Sequence, residues 1–502
     1  MPRVTFCWMI LPANADGGAG EASAGNLPAL ETGMMMTHQF DSTVLREYDI
    51  RGIIGKTLGA DDARAIGKGF GTLVRRAGGN KVVVGYDGRV SSPMLERALV
   101  EGLTSTGVNV RQIGLGATPM LYYAEASAED VQGGIQITGN HNPCDYNGFK
   151  MVFQGRPFFG ADILKLGEMA AAGDWDSGVG GTEHVDIIDA YVDRLLQGLD
   201  GIDTQVLAGL KVGWDAGNGA AGPALEKLAA RLPGEHHLLY TTVDGHFPNH
   251  HPDPTVPENL EDLRRLVSAK SLDFGVAFDG DGDRIGAIDG EGRIIWGDQL
   301  LMIYAEELLR RTPGATIIAD VKASRALFDH VAAHGGQPLM WKTGHSLIKS
   351  KMKEVSSPLA GEMSGHVFFA DGYYGFDDAL YAGIRLIAAA ARLGKSVTQL
   401  RGEMPAMLNT PELRFQVDES RKFAAIEEVK ARLASSIDQV DGTDGVRVTS
   451  KDGWWLLRAS NTQDVLVARA ESDSQEGLDR LLAQIDAQLA ASGLERGPQA
   501  GH

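Results

Sequence analysis

"FGVAFDGDGDR", Phe274–Arg284, decides how the rest of the chain is read. An apolar run of strand-forming residues ends in three aspartates at alternating positions, Asp279, Asp281 and Asp283, spaced by Gly280 and Gly282. The same arrangement recurs in "KVVVGYDGR" (Lys81–Arg89), "LKVGWDAGNG" (Leu210–Gly219) and "ATIIADVKAS" (Ala315–Ser324), each followed by a helical pattern. Strand, polar turn and helix in repetition predict an α/β protein with mixed, mainly parallel sheets. Near residue 405 the pattern changes. "PELRFQV" reads as a strand, "RKFAAIEEVKARLASSI" as a helix, and "GVRVTSKDGWWLLRAS" as a hairpin turning at Lys451–Gly453. A further strand, "DVLVARAES", and a helix, "GLDRLLAQIDAQLA", complete an α+β module. The expected division is 37–190, 191–295 and 296–405 for three α/β domains and 406–502 for a smaller α+β domain.

Composition agrees with several folded domains. The 502 residues exceed one ordinary domain, and 43% hydrophobic content can fill several cores. The net charge of −19 argues against nucleic-acid binding, which needs basic surfaces. An anionic ligand must therefore be held by local Lys and Arg. Two cysteines, Cys7 and Cys144, make neither a disulfide framework nor a zinc site, which suits a reducing cytoplasm. No apolar run reaches the ~18 residues of a membrane span. The start, "VTFCWMIL" before "PANAD", has the outline of a weak signal peptide. Residues 1–36 are read instead as a disordered or spurious extension, with the fold starting near Thr37.

The chemistry-bearing motifs point one way. Three converging carboxylates repel one another unless a cation joins them, and hard oxygens in that number suit Mg²⁺. A calcium EF-hand fails, because Arg284 stands where it needs Gly and Gly290 where it needs Glu. "RASNTQ" offers Arg458, Ser460, Asn461 and Thr462, a guanidinium with hydroxyls and an amide, suited to a phosphate. "GEMSGH" offers Glu362 and Ser364 for sugar hydroxyls and His366 for proton handling. A dinucleotide-like turn, Gly217, Gly219 and Gly222, followed by Asp244 after the apparent strand "HLLYTTVD", is the one feature favouring an NAD-dependent oxidoreductase. The prolines of "HFPNHHPDP" make His246, His250 and His251 an extended loop rather than a metal site.

Together these motifs resemble the α-D-phosphohexomutase family, in the bacterial phosphomannomutase/phosphoglucomutase branch, from "REYDIRGIIG" to "RASNTQDVLVARAES". The resemblance implies three related α/β domains and a smaller fourth around a central cleft. It implies Mg²⁺ at Asp279, Asp281 and Asp283, with the residue 140 side chain or its phosphate as a further ligand. Arg284 matches an active-site arginine, Glu362 and Ser364 the sugar-specificity loop, and Arg458, Ser460, Asn461 and Thr462 the distal phosphate site. Tyr48, Arg51, His141, Lys150, Lys322, His345 and His366 match cleft residues that contact ligand or assist proton transfer. The implied activity interconverts hexose 1- and 6-phosphates of mannose and glucose, through a hexose 1,6-bisphosphate that is both intermediate and activator. The expected partners are small sugar phosphates, with neither nucleic acid nor membrane, and the expected state is a monomer or weak dimer.

One position departs from the family. In "ITGNHNPCDYNGFK" (Ile137–Lys150), Asn140 stands where the family carries its phosphoserine. An amide is no phosphoryl nucleophile, whereas an activated serine is. Asn keeps the turn preference of the loop, so the exchange strikes chemistry rather than folding. Four accounts stay open: a disabled mutase that still binds sugar phosphates, another acceptor such as His141 or Thr138, residual turnover from bound bisphosphate and water, and deamidation to aspartate. A non-catalytic sugar-phosphate-binding protein is the rival reading.

Overall fold

The apolar runs that end in aspartate become the parallel strands of three separate sheets, and each aspartate starts a loop toward the same side. The computed structural model describes residues 37–461 and 463–497. The expectations for residues 1–36 and for Thr462 fall outside the described residues.

The first sheet has the spatial order Ile50–Ile53, Tyr146–Phe153, Gly133–Ile137, Lys81–Tyr86, Asn109–Leu115, Thr182–His184. Its inner and far strands run parallel, while Tyr146–Phe153 pairs antiparallel with both neighbours. The second runs Ile294–Ile295, Ile285–Asp289, Phe274–Phe278, Lys211–Asp215, Glu235–Leu239. The third runs Gln337–Trp341, Thr316–Asp320, Leu359–Gly361, Val367–Phe369. Both are parallel at one end and antiparallel at the other. Helices cover these sheets, as a parallel strand buried on both faces requires. In the fourth sheet every pair is antiparallel, and its hairpin joins Val446–Ser450 to Gly453–Ala459.

One apolar core joins the three α/β parts. It extends from Val83 through Leu121, Trp214, Phe278 and Leu300 to Leu400. The helix Ala379–Leu393 runs through it, and its N-cap Asp378 accepts the Tyr381 amide at 2.9 Å. The α+β module keeps its own core, from Phe415 to Leu489. It meets its neighbour through Arg447, which donates to the Val321 and Ala323 carbonyls at 2.6 and 2.8 Å and lies 3.7 Å over the Trp454 ring.

The dinucleotide-like turn serves packing. A Cβ on Gly222 would stand 2.0 Å from the Thr241 carbonyl oxygen, and one on Gly219 would stand 2.8 Å from that of Gly280. These glycines face backbone at close range, where a bound dinucleotide would need open space. The apparent strand before Asp244 also ends early, at Leu239, because Tyr240 takes a left-handed φ of 54°. Asp244 instead accepts the His246 amide at 2.9 Å. His250 is committed to Asp215 at 3.0 Å, so the histidine loop is tied down by a carboxylate. Gly222→Ala is expected to destabilise the fold by at least about 1–3 kcal/mol through overpacking against main chain. Denaturant unfolding measures this, and an unchanged midpoint would show that the turn has room to spare.

Candidate functional site

The loops that follow the strands converge on one cavity of about 690 Å³. Its lining includes Tyr48, Arg51, Asn140, His141, Arg284, Lys322, His345, Glu362, Ser364, His366, Arg458, Ser460 and Asn461. Lys150 and the three aspartates lie buried, with Asp279, Asp281 and Asp283 at 0% exposure. Six arginines and Lys322 face five carboxylates around the cavity wall, although the chain as a whole has 66 acidic against 47 basic residues. The cavity is therefore a locally cationic pocket in an anionic protein.

Residue 140 is held by its backbone. Gly139 donates its N–H to Asp87 Oδ2 at 3.0 Å, and the Arg89 guanidinium donates to the carbonyls of Asn140, Asn142, Pro143 and Tyr146 at 2.6–3.0 Å. Asp87 and Arg89 both come from "YDGR", the end of the central strand. Asn140 has φ 53°, a left-handed conformation that asparagine tolerates better than most residues. Its Oδ1 lies 2.7 Å from the donating His141 N–H and 2.8 Å from His141 Nδ1. Burial, then Arg284, Arg51 and Arg414, hold the His141 imidazole well below its usual range.

The acidic loop abuts this one. A Cβ on Gly280 would stand 2.8 Å from the Asn140 carbonyl oxygen, so glycine there permits the approach. Gly282 takes φ 76° and returns its N–H to the Asp279 carbonyl at 3.1 Å, curling the loop. Asp279 Oδ1 accepts the amides of Asp283 and Arg284 at 3.0 and 3.1 Å. Lys150 Nζ donates to Asp281 Oδ2 at 2.8 Å and also to Asp283 Oδ2, and Thr118 Oγ1 donates to Asp281. What remains is one oxygen on each aspartate, Asp279 Oδ2, Asp281 Oδ1 and Asp283 Oδ1, buried and without a hydrogen-bond partner. The three residues each offer a carboxylate oxygen within 4.8 Å of the others. Orphaned hard oxygens at that spacing fit a small divalent cation such as Mg²⁺. Burial and the charges of Asp283 and Asp281 push the Asp279 carboxyl well above its usual range. Burial opposes the charge of Asp283 too, but Lys150 and His366 hold that carboxyl well below.

The "GEMSGH" loop closes another wall. Glu362 accepts the Gly344 amide at 2.7 Å and contacts His366 Nδ1 at 2.7 Å, while His366 Nε2 lies 3.3 Å from Asp283 and 3.4 Å from Arg284 Nε. Burial disfavours both charges, yet the contact with His366 brings the Glu362 carboxyl down to about 2. His366 is likewise opposed by burial but raised to about 9, chiefly by Asp283. His345 is held well below its usual range by burial and Lys349, and its Nδ1 has no partner.

The α+β module supplies the far end. Arg458 Nε donates to Asp444 at 3.0 Å, and Asn461 Nδ2 donates to the Tyr48 hydroxyl at 2.6 Å. Tyr48 in turn donates to the Thr343 carbonyl at 3.1 Å, so one phenol joins three parts of the chain. Lys322 Nζ donates to Glu412 at 2.9 Å. Sequence inspection missed Arg46, Glu412, Arg414 and Arg469, which also line the cavity. They lie inside "REYDIRGIIG", "PELRFQV" and "DVLVARAES", where nothing local shows that their charges turn to the cavity. Asp87 and Arg89 had a visible signal, the Asp that closes an apolar run.

Lys150→Met leaves Asp281 and Asp283 uncompensated, at a cost of about 3–5 kcal/mol in chelator. Added Mg²⁺ should recover part of that loss. Urea unfolding with EDTA and with Mg²⁺ checks both, and a variant as stable as the parent in EDTA would contradict the electrostatic account.

Comparison with known proteins agrees with this geometry. The chain matches the phosphoglucomutase/phosphomannomutase alpha/beta/alpha domain I over residues 42–175, domain II over 189–292, domain III over 296–407 and the C-terminal domain over 412–488. It is 44% identical over 450 residues to the phosphomannomutase/phosphoglucomutase of Pseudomonas aeruginosa, covering 90% of this chain and 96% of that one. It is 40% identical over 456 residues to the phosphoglucomutase of Neisseria gonorrhoeae, covering 89% and 97%. A crystal structure of a phosphoglucomutase/phosphomannomutase family protein from Burkholderia thailandensis superposes with a TM-score of 0.84 at 44% identity, covering 92% and 99% of the two chains. With its three α/β parts, its α+β module and their shared cavity, the chain belongs to the α-D-phosphohexomutase family.

Proposed function

We propose that the chain is a Mg²⁺-dependent phosphohexomutase scaffold for mannose and glucose phosphates, with its phosphoryl-transfer step disabled at Asn140. The observation that carries this reading is the position of Asn140, on a clasped loop at the cavity and against the acidic loop. Relatives that are 40–44% identical bear mutase names.

The chain's own residues divide the work. Arg458, Ser460 and Asn461 hold the phosphate that is not reacting, and Tyr48 ties that clamp to the opposite wall. Glu362 and Ser364 take the sugar hydroxyls, and Lys322 and Arg51 add positive charge. Arg284, Lys150, His345 and His366 surround the reacting end, where His141 and His345 are neutral bases and His366 is a charged donor. Asp279, Asp281 and Asp283 would hold Mg²⁺, which when bound would supply neutralisation of phosphate charge.

With serine at 140, a phosphoserine O–P bond breaks as a sugar hydroxyl oxygen takes the phosphorus and gives its proton to a neighbouring base. The resulting 1,6-bisphosphate turns over in the cavity and returns its other phosphate to serine. With asparagine the amide nitrogen is delocalised, and its oxygen is already engaged by His141. Binding survives and transfer stops. That engaged amide also favours the second reading, a sugar-phosphate-binding protein without turnover.

A coupled assay of glucose 1-phosphate conversion, primed with glucose 1,6-bisphosphate, separates the two. Asn140→Ser is expected to raise the rate by at least about 10³-fold, the scale of losing a nucleophile. A serine form no faster than its parent would leave the binding reading. Intact mass of the parent after bisphosphate treatment should show no phosphate adduct; an adduct would assign transfer to another acceptor, such as His141 or Thr138. Arg458→Ala should weaken glucose 1-phosphate binding to the parent by about 10–100-fold, as expected for a lost charge-assisted hydrogen bond, measured by calorimetry.

A further inference from the structure

Outside the cavity, three side chains meet between the helices Gly297–Arg311 and Arg325–Ala333. His330 lies within the second helix, and His334 caps its C-terminus four residues on, so both rings fall on one face. The rings lie with centroids 4.1 Å apart, tilted by 38°. Glu306, on the first helix and only 7% exposed, points at both. Its Oε2 lies 3.7 Å from His330 Nε2 and 3.9 Å from His334 Nε2.

The hydrogen bonds around this cluster set the tautomers. His334 Nδ1 bonds the His330 carbonyl at 2.8 Å. His330 Nε2 is buried without a hydrogen-bond partner. His334 thus has Nδ1–H spent on main chain, and the Nε2 atoms of both rings face the Glu306 carboxylate across 3.7 and 3.9 Å without a hydrogen bond. That gap between nitrogen and oxygen donors is one that a cation can join. Imidazoles that ligate metals are commonly oriented through the opposite ring nitrogen in this way. Arg310 donates to Glu306 Oε1 at 2.9 Å and fixes the carboxylate, leaving Oε2 for the shared site. Lys395, the other cation nearby, is engaged by Glu403 at 2.6 Å.

We infer that Glu306, His330 and His334 form a second metal site, for a borderline transition cation of the Zn²⁺ class rather than Mg²⁺. Two imidazoles and one carboxylate match the ligand preferences of Zn²⁺, and Mg²⁺ prefers oxygen donors. The three ligand atoms already lie within 4.8 Å of one another. Tetrahedral zinc with bonds of about 2.0–2.1 Å needs donors about 3.3 Å apart, a closure that rotamer adjustment at half-exposed His334 provides. Water completes the fourth position. The bound ion would brace the two helices.

The test titrates Zn²⁺ into the full chain in excess Mg²⁺, which occupies the aspartate triplet, and follows heat and the thermal midpoint. Co²⁺ supplies an independent visible-absorption readout of imidazole ligation. The parent should bind one equivalent and gain thermal stability. His334→Ala, an exposed position, and Glu306→Gln should each weaken binding by at least about tenfold. Absence of saturable binding, with a proton as the only cation shared by the cluster, would overturn the proposal. So would binding that persists unchanged in both variants, which would place the ion at other histidines.

Discussion

Three fully buried carboxylates within a few ångström of one another are the constraint around which this molecule is arranged. Left alone they would repel and unfold the loop that carries them. One ammonium, Lys150, crosses from the neighbouring sheet to bridge two of them, and main-chain amides cap the third. Those contacts satisfy three of the six oxygens and leave one on each residue turned toward a common point. The loop is therefore stable enough to fold and still short of positive charge, which is the condition for recruiting a divalent cation. Because Lys150 belongs to one domain and the aspartates to another, the same pair fixes the angle between two parts of the cleft.

The remaining features follow from bringing anionic groups to that point. A chain of net charge −19 repels phosphates at long range, and the arginines around the cavity offset that field locally. The Arg89 clasp presents residue 140 by its carbonyls alone, so the side chain can change without loss of the loop. On the proposed reading, that separation of scaffold from side chain is how asparagine can stand at a nucleophile's place. The far end of the cavity belongs to a module with its own core, joined to the rest by polar contacts and by the buried apolar cluster of Val321, Trp454 and Leu456.

Much of this was legible in the sequence for a physical reason. A parallel strand buried on both faces must be a continuous apolar run, and its end must be polar, so "FGVAFDGDGDR" and its three counterparts announced both the fold class and one side of the cleft. The antiparallel pairings of Tyr146–Phe153 and Val367–Phe369 were not legible, since the loops that join them to the preceding strands carry chemistry-bearing residues and no tight-hairpin turn signal. The strand expected before Asp244 stops at Leu239 because Tyr240 turns left-handed, a choice imposed by the Asn218 amide bonding the Tyr240 carbonyl. Arg89 ends a run that the sequence marks, but the segments that Arg89 and Arg414 reach lie some fifty residues away, and no local feature names those partners. The glycines of "DAGNGAAG" misled in the opposite direction: close backbone packing and dinucleotide binding ask for the same residue.

Anomalous diffraction from crystals grown with Mn²⁺ and hexose 1,6-bisphosphate tests the central claim most directly. Mn²⁺ shares the oxygen preference of Mg²⁺ and gives a strong signal. The account predicts one metal peak among Asp279, Asp281 and Asp283, with one phosphate beside residue 140 and the other against Arg458 and Ser460. A metal elsewhere, or a sugar phosphate bound outside this cavity, would contradict it.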